Sequence, residues 1–168
     1  DLNKSSLFRS DIFITRLVFK LAVGIFKGGT EVKRKIRLFE ERDPENTELC
    51  LQEVGDRVEE LNLDHVVVAT TTGETGRKAV DFFQDYDVEL AVVSHQYGFK
   101  RNGETELENE HRKFIEDADG AELVTTPDVL TRVPKMVRGK YDAYSFLDIV
   151  SDTLKIFSEG IKVCVECT

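Results

Sequence analysis

Three cysteines in 168 residues are odd in number and too few to staple a disulfide framework. No apolar run is long enough to span a bilayer, because Arg16 and Lys20 interrupt the richest stretch. No Gly-Lys-[Ser/Thr] ending closes a P-loop, and no GxGxxG string is present. Catalytic constellations are missing too. The chain shows no Ser-His-Asp order, no paired-carboxylate spacing and no cluster with metal-ligand spacing. The Cys164-x-x-Cys167 pair has no second pair and no histidine near it in sequence. It reads as two small buried hydrophobes in preference to a redox or metal site. Repeats and low-complexity segments are lacking as well.

Positive charge is scarce outside one end. Residues 1–37 carry nine Lys/Arg against three Asp/Glu, a net of +6, while residues 38–168 carry 14 against 29, a net of −15. Together they make the chain's net charge of −9. An acidic body argues against a nucleic-acid binder and suits a cytoplasmic protein. A start at Asp1 in place of Met reads as a fragment. Residues 1–30 form a basic amphipathic extension. At 100° per residue, Arg9, Arg16, Lys20 and Lys27 fall in a narrow sector of a helix that is otherwise rich in Phe, Ile, Leu and Val. Four readings of residues 7–27 stay open: a membrane-surface helix, a targeting presequence, a helix docked on the body or a partner, and a leader outside the fold. Gly28-Gly29 looks like the hinge to a body over residues 31–168.

Within the body, strand and helix signals alternate. Strands are expected at Ile36–Phe39, His65–Ala69, Val88–Ser94 and Ala121–Thr125. Asp43-Pro44 starts a helix reaching about Leu61, with Val54 and Val58 inward. Thr75–Tyr86 is a helix with Ala79, Phe82, Phe83 and Tyr86 inward. Thr105-x-x-Glu108 reads as a capping box ahead of a stripe of Leu107, His111, Phe114, Ile115 and Ala118. Thr126-Pro127-Asp128 starts another helix by the cap-then-proline rule. Ser145-x-x-Asp148 opens a last long helix with Phe146, Val150, Leu154 and Phe157 on one side. Alternation with short connections means an α/β fold whose sheet is mainly parallel and covered on both faces. Ligands in such sheets sit at the carboxyl ends of the strands.

The chemistry gathers at those ends. His65 to Ala69 is followed by Thr70-Thr71-Thr72-Gly73-Glu74-Thr75-Gly76, a hydroxyl- and glycine-rich turn that opens a helix. Backbone N–H groups and hydroxyls then converge at a helix N-terminus, where the orphan amides and the dipole favour an anion, usually a phosphate. The plainer alternative is a capped turn with nothing bound. His95-Gln96-Tyr97-Gly98-Phe99 follows the next strand. There His95 offers a donor to a ligand oxygen, and Tyr97 or Phe99 offers cover for a flat ring, unless the aromatics only pack over the sheet end. Glu40 and Glu41, near Asp43, Glu45 and Asn46, offer a carboxylate to a ligand hydroxyl or amide. His111 reads as a core histidine and His65 has no evident partner. Glu104, Glu106, Glu108 and Glu110 read as a solvated helix start.

Three strings then stand together: Phe39-Glu40-Glu41-x-x-Pro44-Glu45-Asn46-Thr47, Val66-Val67-Val68-Ala69-Thr70-Thr71-Thr72-Gly73-Glu74-Thr75, and His95-x-x-Gly98-Phe99. With them the body, from about Ile36 to Cys167, resembles the stand-alone proteins, largely archaeal and bacterial, that are similar to the C-terminal domain of pyruvate kinase. The resemblance implies a three-layer α/β/α sandwich. It implies that Thr70, Thr71, Thr72, Gly73, Thr75 and Gly76 hold a phosphate, and it brings in flavin mononucleotide as the ligand beside His95, Gly98 and Phe99. The catalytic barrel of pyruvate kinase has no counterpart here, so kinase activity is not implied. Members of the family continue past the position of Cys167 with further strands, so an end at Thr168 implies a sheet short of its last strands. Ile161–Cys167 alternates like a strand, but the resemblance implies a helix there. The expected partners are a phosphate-bearing small molecule and, in a homo-oligomer, a second copy. A flavin-dependent enzyme and a regulatory or interaction module remain as alternatives.

Overall fold

The computed structural model describes residues 37, 39–41 and 43–168. The basic extension, its glycine hinge and most of the first expected strand lie outside the described residues. Arg37 and Phe39, which are described, belong to no strand.

The described chain runs α1 (Asn46–Leu61), β1 (His65–Thr70), α2 (Glu74–Phe83), β2 (Glu89–His95), α3 (Asn109–Glu116), β3 (Ala121–Thr126), α4 (Val129–Tyr141), α5 (Phe146–Phe157) and α6 (Glu159–Cys167). The three strands form one parallel sheet in the order β1-β2-β3. His65 pairs with Glu89 and Thr70 with Ser94, while Leu90 pairs with Ala121 and His95 with Thr126. This is an α/β architecture with six helices, compatible with an α/β sandwich.

Sequential parallel strands joined by right-handed crossovers put both connecting helices on the same face. That face holds the core. Val66 and Val68 of β1 and Leu90 and Val92 of β2 are buried against Ala79, Val80 and Phe83 of α2, Ile115 of α3, and Leu51, Val54 and Val58 of α1. Valine suits such strands because its branched Cβ packs on a pleated surface. Val93 and Cys164 are buried but stand outside that cluster. The last helix, α6, contacts β1.

Local signals mostly act where the sequence places them. Asp43 Oδ1 accepts from the Glu45 N–H at 2.8 Å, so Asp43 and Pro44 do start α1, through a turn that precedes its first regular residue. The Ser145 capping box is complete: Asp148 N–H donates to Ser145 Oγ, and Ser145 N–H donates back to the Asp148 carboxylate at 2.7 Å. Ser158, in extended backbone, ends α5 and caps α6 by accepting from Ile161 N–H at 3.0 Å. The run Ile161–Cys167 is therefore helix, despite its strand-like alternation.

Several expectations are corrected. Thr105 and Glu108 form no capping box; α3 begins at Asn109 without a side-chain cap, and Thr105 Oγ1 accepts from Leu107 N–H in a turn before it. Glu106 is not solvated. Its carboxylate is turned inward without a well-formed hydrogen bond, and the Lys100 ammonium is its counter-charge. His65 does have a partner, Glu89 of the neighbouring strand at 3.0 Å. The stripe expected on one side of α5 is covered only in its middle: Val150 and Leu154 are half-buried, Phe146 and Phe157 are each 75% exposed, and the fully buried positions are Asp148 and Ser151. The reason is electrostatic. The Asp148 carboxylate accepts from Ser145 N–H and Oγ and pairs with Arg138 of α4, and this contact fixes which side of α5 turns inward. Burial alone would raise the Asp148 pKa, but those hydrogen bonds and the Arg138 charge outweigh it and hold the carboxyl below its ordinary range.

Candidate functional site at the carboxyl ends of the strands

The loop after β1 is braced from within. Thr70 is buried, and its Oγ1 accepts from the N–H groups of Gly73 at 3.1 Å and Gly76 at 3.4 Å. The Thr72 carbonyl accepts from Glu108 N–H at 3.0 Å and from His111 Nδ1 at 3.1 Å. A carbonyl cannot donate, so His111 carries its proton on Nδ1. His111 is thus a satisfied interior histidine that pins the loop to α3. Gly73 has φ +98°, the left-handed region, and a Cβ there would lie 2.4 Å from His111 Cβ. Gly76 lets α2 approach the sheet, since its Cβ would lie 2.6 Å from Val92 Cγ1.

This bracing sorts the expected cradle residues into two sets. Thr70, Gly73 and Gly76 build the loop, and the hydroxyl of Thr70 is consumed in doing so. Thr71, Thr72 and Thr75 keep hydroxyls that no group among the described residues engages. The first intrahelical bond of α2 is Arg77 N–H to the Gly73 carbonyl at 2.9 Å, so the N–H groups of Glu74 and Thr75 have no acceptor within the helix. The nearest cations are committed: Lys78 stands 3.7 Å from Glu74, and Arg77 stands 3.1 Å from Glu110. Amides, hydroxyls and the dipole of α2 therefore supply the attraction for an anion, and the Glu74 carboxylate works against it.

His95 ends β2, beside the residue that follows Thr70 in the paired strand. Its ring stacks on Phe99 with centroids 4.3 Å apart and planes 15° from parallel. Its Nδ1 lies 3.0 and 3.1 Å from the two oxygens of Asp128. Gly98 has φ +79° and turns the chain between them, and its carbonyl accepts from Arg132. The Arg132 guanidinium lies 5.5 Å from the Phe99 ring centroid. The structure thus brings His95, Gly98 and Phe99 together and adds Asp128 and Arg132.

Glu41 and Asn46 stand at the start of α1. The helix runs into β1 through a three-residue connection, so its N-terminus lies toward the end of the sheet where β1 finishes. There Asn46 Nδ2 donates to the Glu41 carbonyl at 2.9 Å, and the Glu41 side chain is exposed.

Behind His95 lies a buried ionic cluster that the sequence reading missed. Lys162 and Glu166 of α6 have side chains only 5% and 7% exposed and stand 3.3 Å apart. Lys162 also pairs with Glu159 at 2.9 Å and donates to Thr131 Oγ1 at 2.7 Å. Burial would lower the Lys162 pKa, but the two carboxylates overcome this and raise it. Burial raises that of Glu166, against the pull of Lys162 and the Leu130 N–H, with the Asp128 charge adding to the rise. The i, i+4 spacing of Lys162 and Glu166 was the available signal. It is common on helix surfaces and says nothing of burial.

All three cysteines are free. The Cys167 thiol is pushed up to about 12, chiefly by burial and then by Cys164, Glu166 and Asp128. A thiol held protonated is a poor nucleophile. Native Cys167 is expected to react with a disulfide reagent at pH 8 at least about a hundredfold slower than in the unfolded chain. The unfolded thiol ionises near 9.0 and the folded one near 12. The folded state therefore holds the extra proton between those values, and the stability this confers is present below pH 9 and lost as the pH rises toward 12. A urea midpoint that falls over that window, and falls less in Cys167→Ser, is the expected result. Equal labelling rates in the folded and unfolded protein would contradict it.

Other features of the surface do not suit an anion. A cavity of about 70 Å³ lies at the opposite end of the sheet among Val80, Phe83, Tyr86, Leu90 and Gly120, and no basic side chain lines it. Among the described residues, no three or more His, Cys, Asp and Glu side chains group to hold a metal ion. No described helix is long and apolar enough to cross a membrane.

Fold and site together define an α/β protein with a threonine- and glycine-rich loop and a carboxylate-held histidine at adjacent strand ends. No model of a known protein family matches the chain.

Proposed function

We propose that this protein binds a phosphate-bearing small molecule, flavin mononucleotide or a sugar phosphate, at the carboxyl ends of β1 and β2, in the cytoplasm and without pyruvate kinase activity of its own. The observation that carries this reading is the loop before α2. Thr70 and His111 hold it rigid, while the Thr71, Thr72 and Thr75 hydroxyls and the first N–H groups of α2 remain unengaged among the described residues. The phosphate takes those donors. Phe99 and His95, stacked next door, offer a flat surface and a hydrogen-bonding edge to the rest of the molecule. The resemblance to the C-terminal domain of pyruvate kinase supports the same reading, since that family uses a Thr/Ser-Gly loop for phosphate, and the parallel sheet suits a sandwich of that type.

A second reading, a flavin-dependent enzyme, is favoured by one observation. A histidine held by a carboxylate is the arrangement that acid–base chemistry uses. Absorption spectra and mass spectrometry of small molecules released on denaturation come first, followed by titration with flavin mononucleotide read by fluorescence quenching. Binding should weaken at least about tenfold in the Thr71→Ala, Thr75→Ala double variant, on the scale of one to two lost hydrogen bonds to a charged group, and inorganic phosphate should compete. If neither flavin mononucleotide nor glucose 6-phosphate binds, the reading fails. If His95→Ala abolishes a flavin-dependent turnover but keeps binding, the enzyme reading replaces simple binding.

A further inference from the structure

Asp128 stands where a cap for α4 belongs but does not serve as one. The residue before a helix ordinarily accepts, through its side chain, from the N–H two or three positions on. Here the Asp128 side chain makes no such bond, and both its oxygens go to His95 Nδ1. The vacant duty passes to α6. Leu130 N–H donates to Glu166 Oε1 at 2.6 Å, and Thr131 Oγ1 accepts from Lys162 Nζ at 2.7 Å. One acid and one base from α6 thus clamp the first turn of α4, and the Asp128 carboxylate is left to the imidazole.

The consequence for His95 follows from donor chemistry. An ionised carboxylate only accepts, so Nδ1 must carry the proton, and in the neutral ring Nε2 is bare. Imidazole free in water favours the other tautomer. Nε2 has no partner among the described residues, and stacking on Phe99 fixes the ring plane.

We propose that Asp128 is a positioning residue that holds His95 in its Nδ1–H tautomer, with Glu166 and Lys162 as supports, so that His95 accepts through Nε2 from a donor on the ligand. This rests on the strand-end site described under the proposed function. It also names what the site selects. A phosphate dianion offers only acceptors, and its charge disfavours the lone pair of Nε2, so the phosphate belongs to the Thr71–Thr75 donors. The group at His95 is a hydroxyl or a ring N–H elsewhere on the same molecule, as a sugar or a flavin ring provides.

The test uses the full chain labelled with ¹⁵N in its three histidines, with long-range ¹H–¹⁵N spectra recorded at pH 8. His95 is assigned by its loss in His95→Gln. The wild-type signals should show Nδ1 protonated and Nε2 bare. Asp128→Ala should move the proton to Nε2. Glu166→Ala should move it in part, because Asp128 is drawn back to Leu130 N–H. Glu166→Gln should not, since its amide oxygen still accepts that N–H. A wild-type His95 that carries its proton on Nε2 overturns the proposal without recourse to any variant, and so does an Asp128→Ala spectrum like the wild type. Asp128→Ala should also weaken flavin mononucleotide about tenfold, the worth of one hydrogen bond to the ligand, while leaving inorganic phosphate affinity unchanged. Equal flavin affinity in the two proteins overturns the role in binding. A wild type that shows the bare Nε2 but binds neither probe keeps Asp128 as the positioning residue and removes the ligand reading instead.

Discussion

Gly73→Ala is expected to cost the protein about 3 kcal/mol of stability, roughly 6–12 °C in Tm for a chain of this size. Two penalties combine at this position. The backbone sits at φ +98°, where a side chain is strained, and the new methyl would lie 2.4 Å from His111 Cβ and 2.7 Å from Leu107 Cδ1. Neither neighbour can retreat freely. His111 is tied to the Thr72 carbonyl, and Leu107 is buried. Gly103→Ala is the control. It has a similar φ of +81° but nothing within 4 Å of the added methyl, so it should cost about 1 kcal/mol from backbone strain alone. Chemical denaturation of both variants separates strain from collision. Equal costs would mean that the contact between α3 and the loop is not tight.

Lys162→Ala is the second large effect, at about 3 kcal/mol, the scale of breaking a buried pair by removing one partner. The substitution leaves the Glu166 carboxylate buried next to Asp128 without the cation that most favours its charge. Glu159 loses its partner too, but that side chain is half exposed and can turn to water. The double change Lys162→Ala, Glu166→Ala should cost clearly less than the sum of the two single changes, because no unpaired charge remains. A double-mutant cycle measures that coupling. Additive costs would show that water reaches the cluster and screens it.

How much of this was readable in the chain depends on distance along it. β1 to β3 were legible because runs such as Val66-Val67-Val68 are short, branched and bounded by turn residues. The Ser145–Asp148 capping box was legible because both its bonds close within four residues. The same pattern misled at Thr105 and Glu108. There Leu107 is drawn down over Gly73, so the chain turns before α3 begins. The stripe of α5 was legible as amphipathic, but periodicity does not say which side finds cover. The contact of Arg138 with Asp148, ten residues apart on different helices, decides it. The site was half visible. The loop before α2 and the His95–Phe99 turn are local strings. The link from Asp128 to His95 spans 33 residues and that from Glu166 to Leu130 spans 36, and only the folded sheet brings either pair together.

The order β1-β2-β3 also bears on how the molecule assembles. Each strand pairs with the next one along the chain, so the loops that close are short and the entropy lost in closing them is modest. Such a β–α–β–α–β run can condense as one nucleus, with the buried valines of β1 and β2 meeting α2 and α3 before distant segments arrive. The contacts that brace the first turn of α4, behind Asp128, reach across from α6 over more than thirty residues. The loop before α2 thus rests on contacts that are near in sequence, and the setting of His95 on contacts that are far.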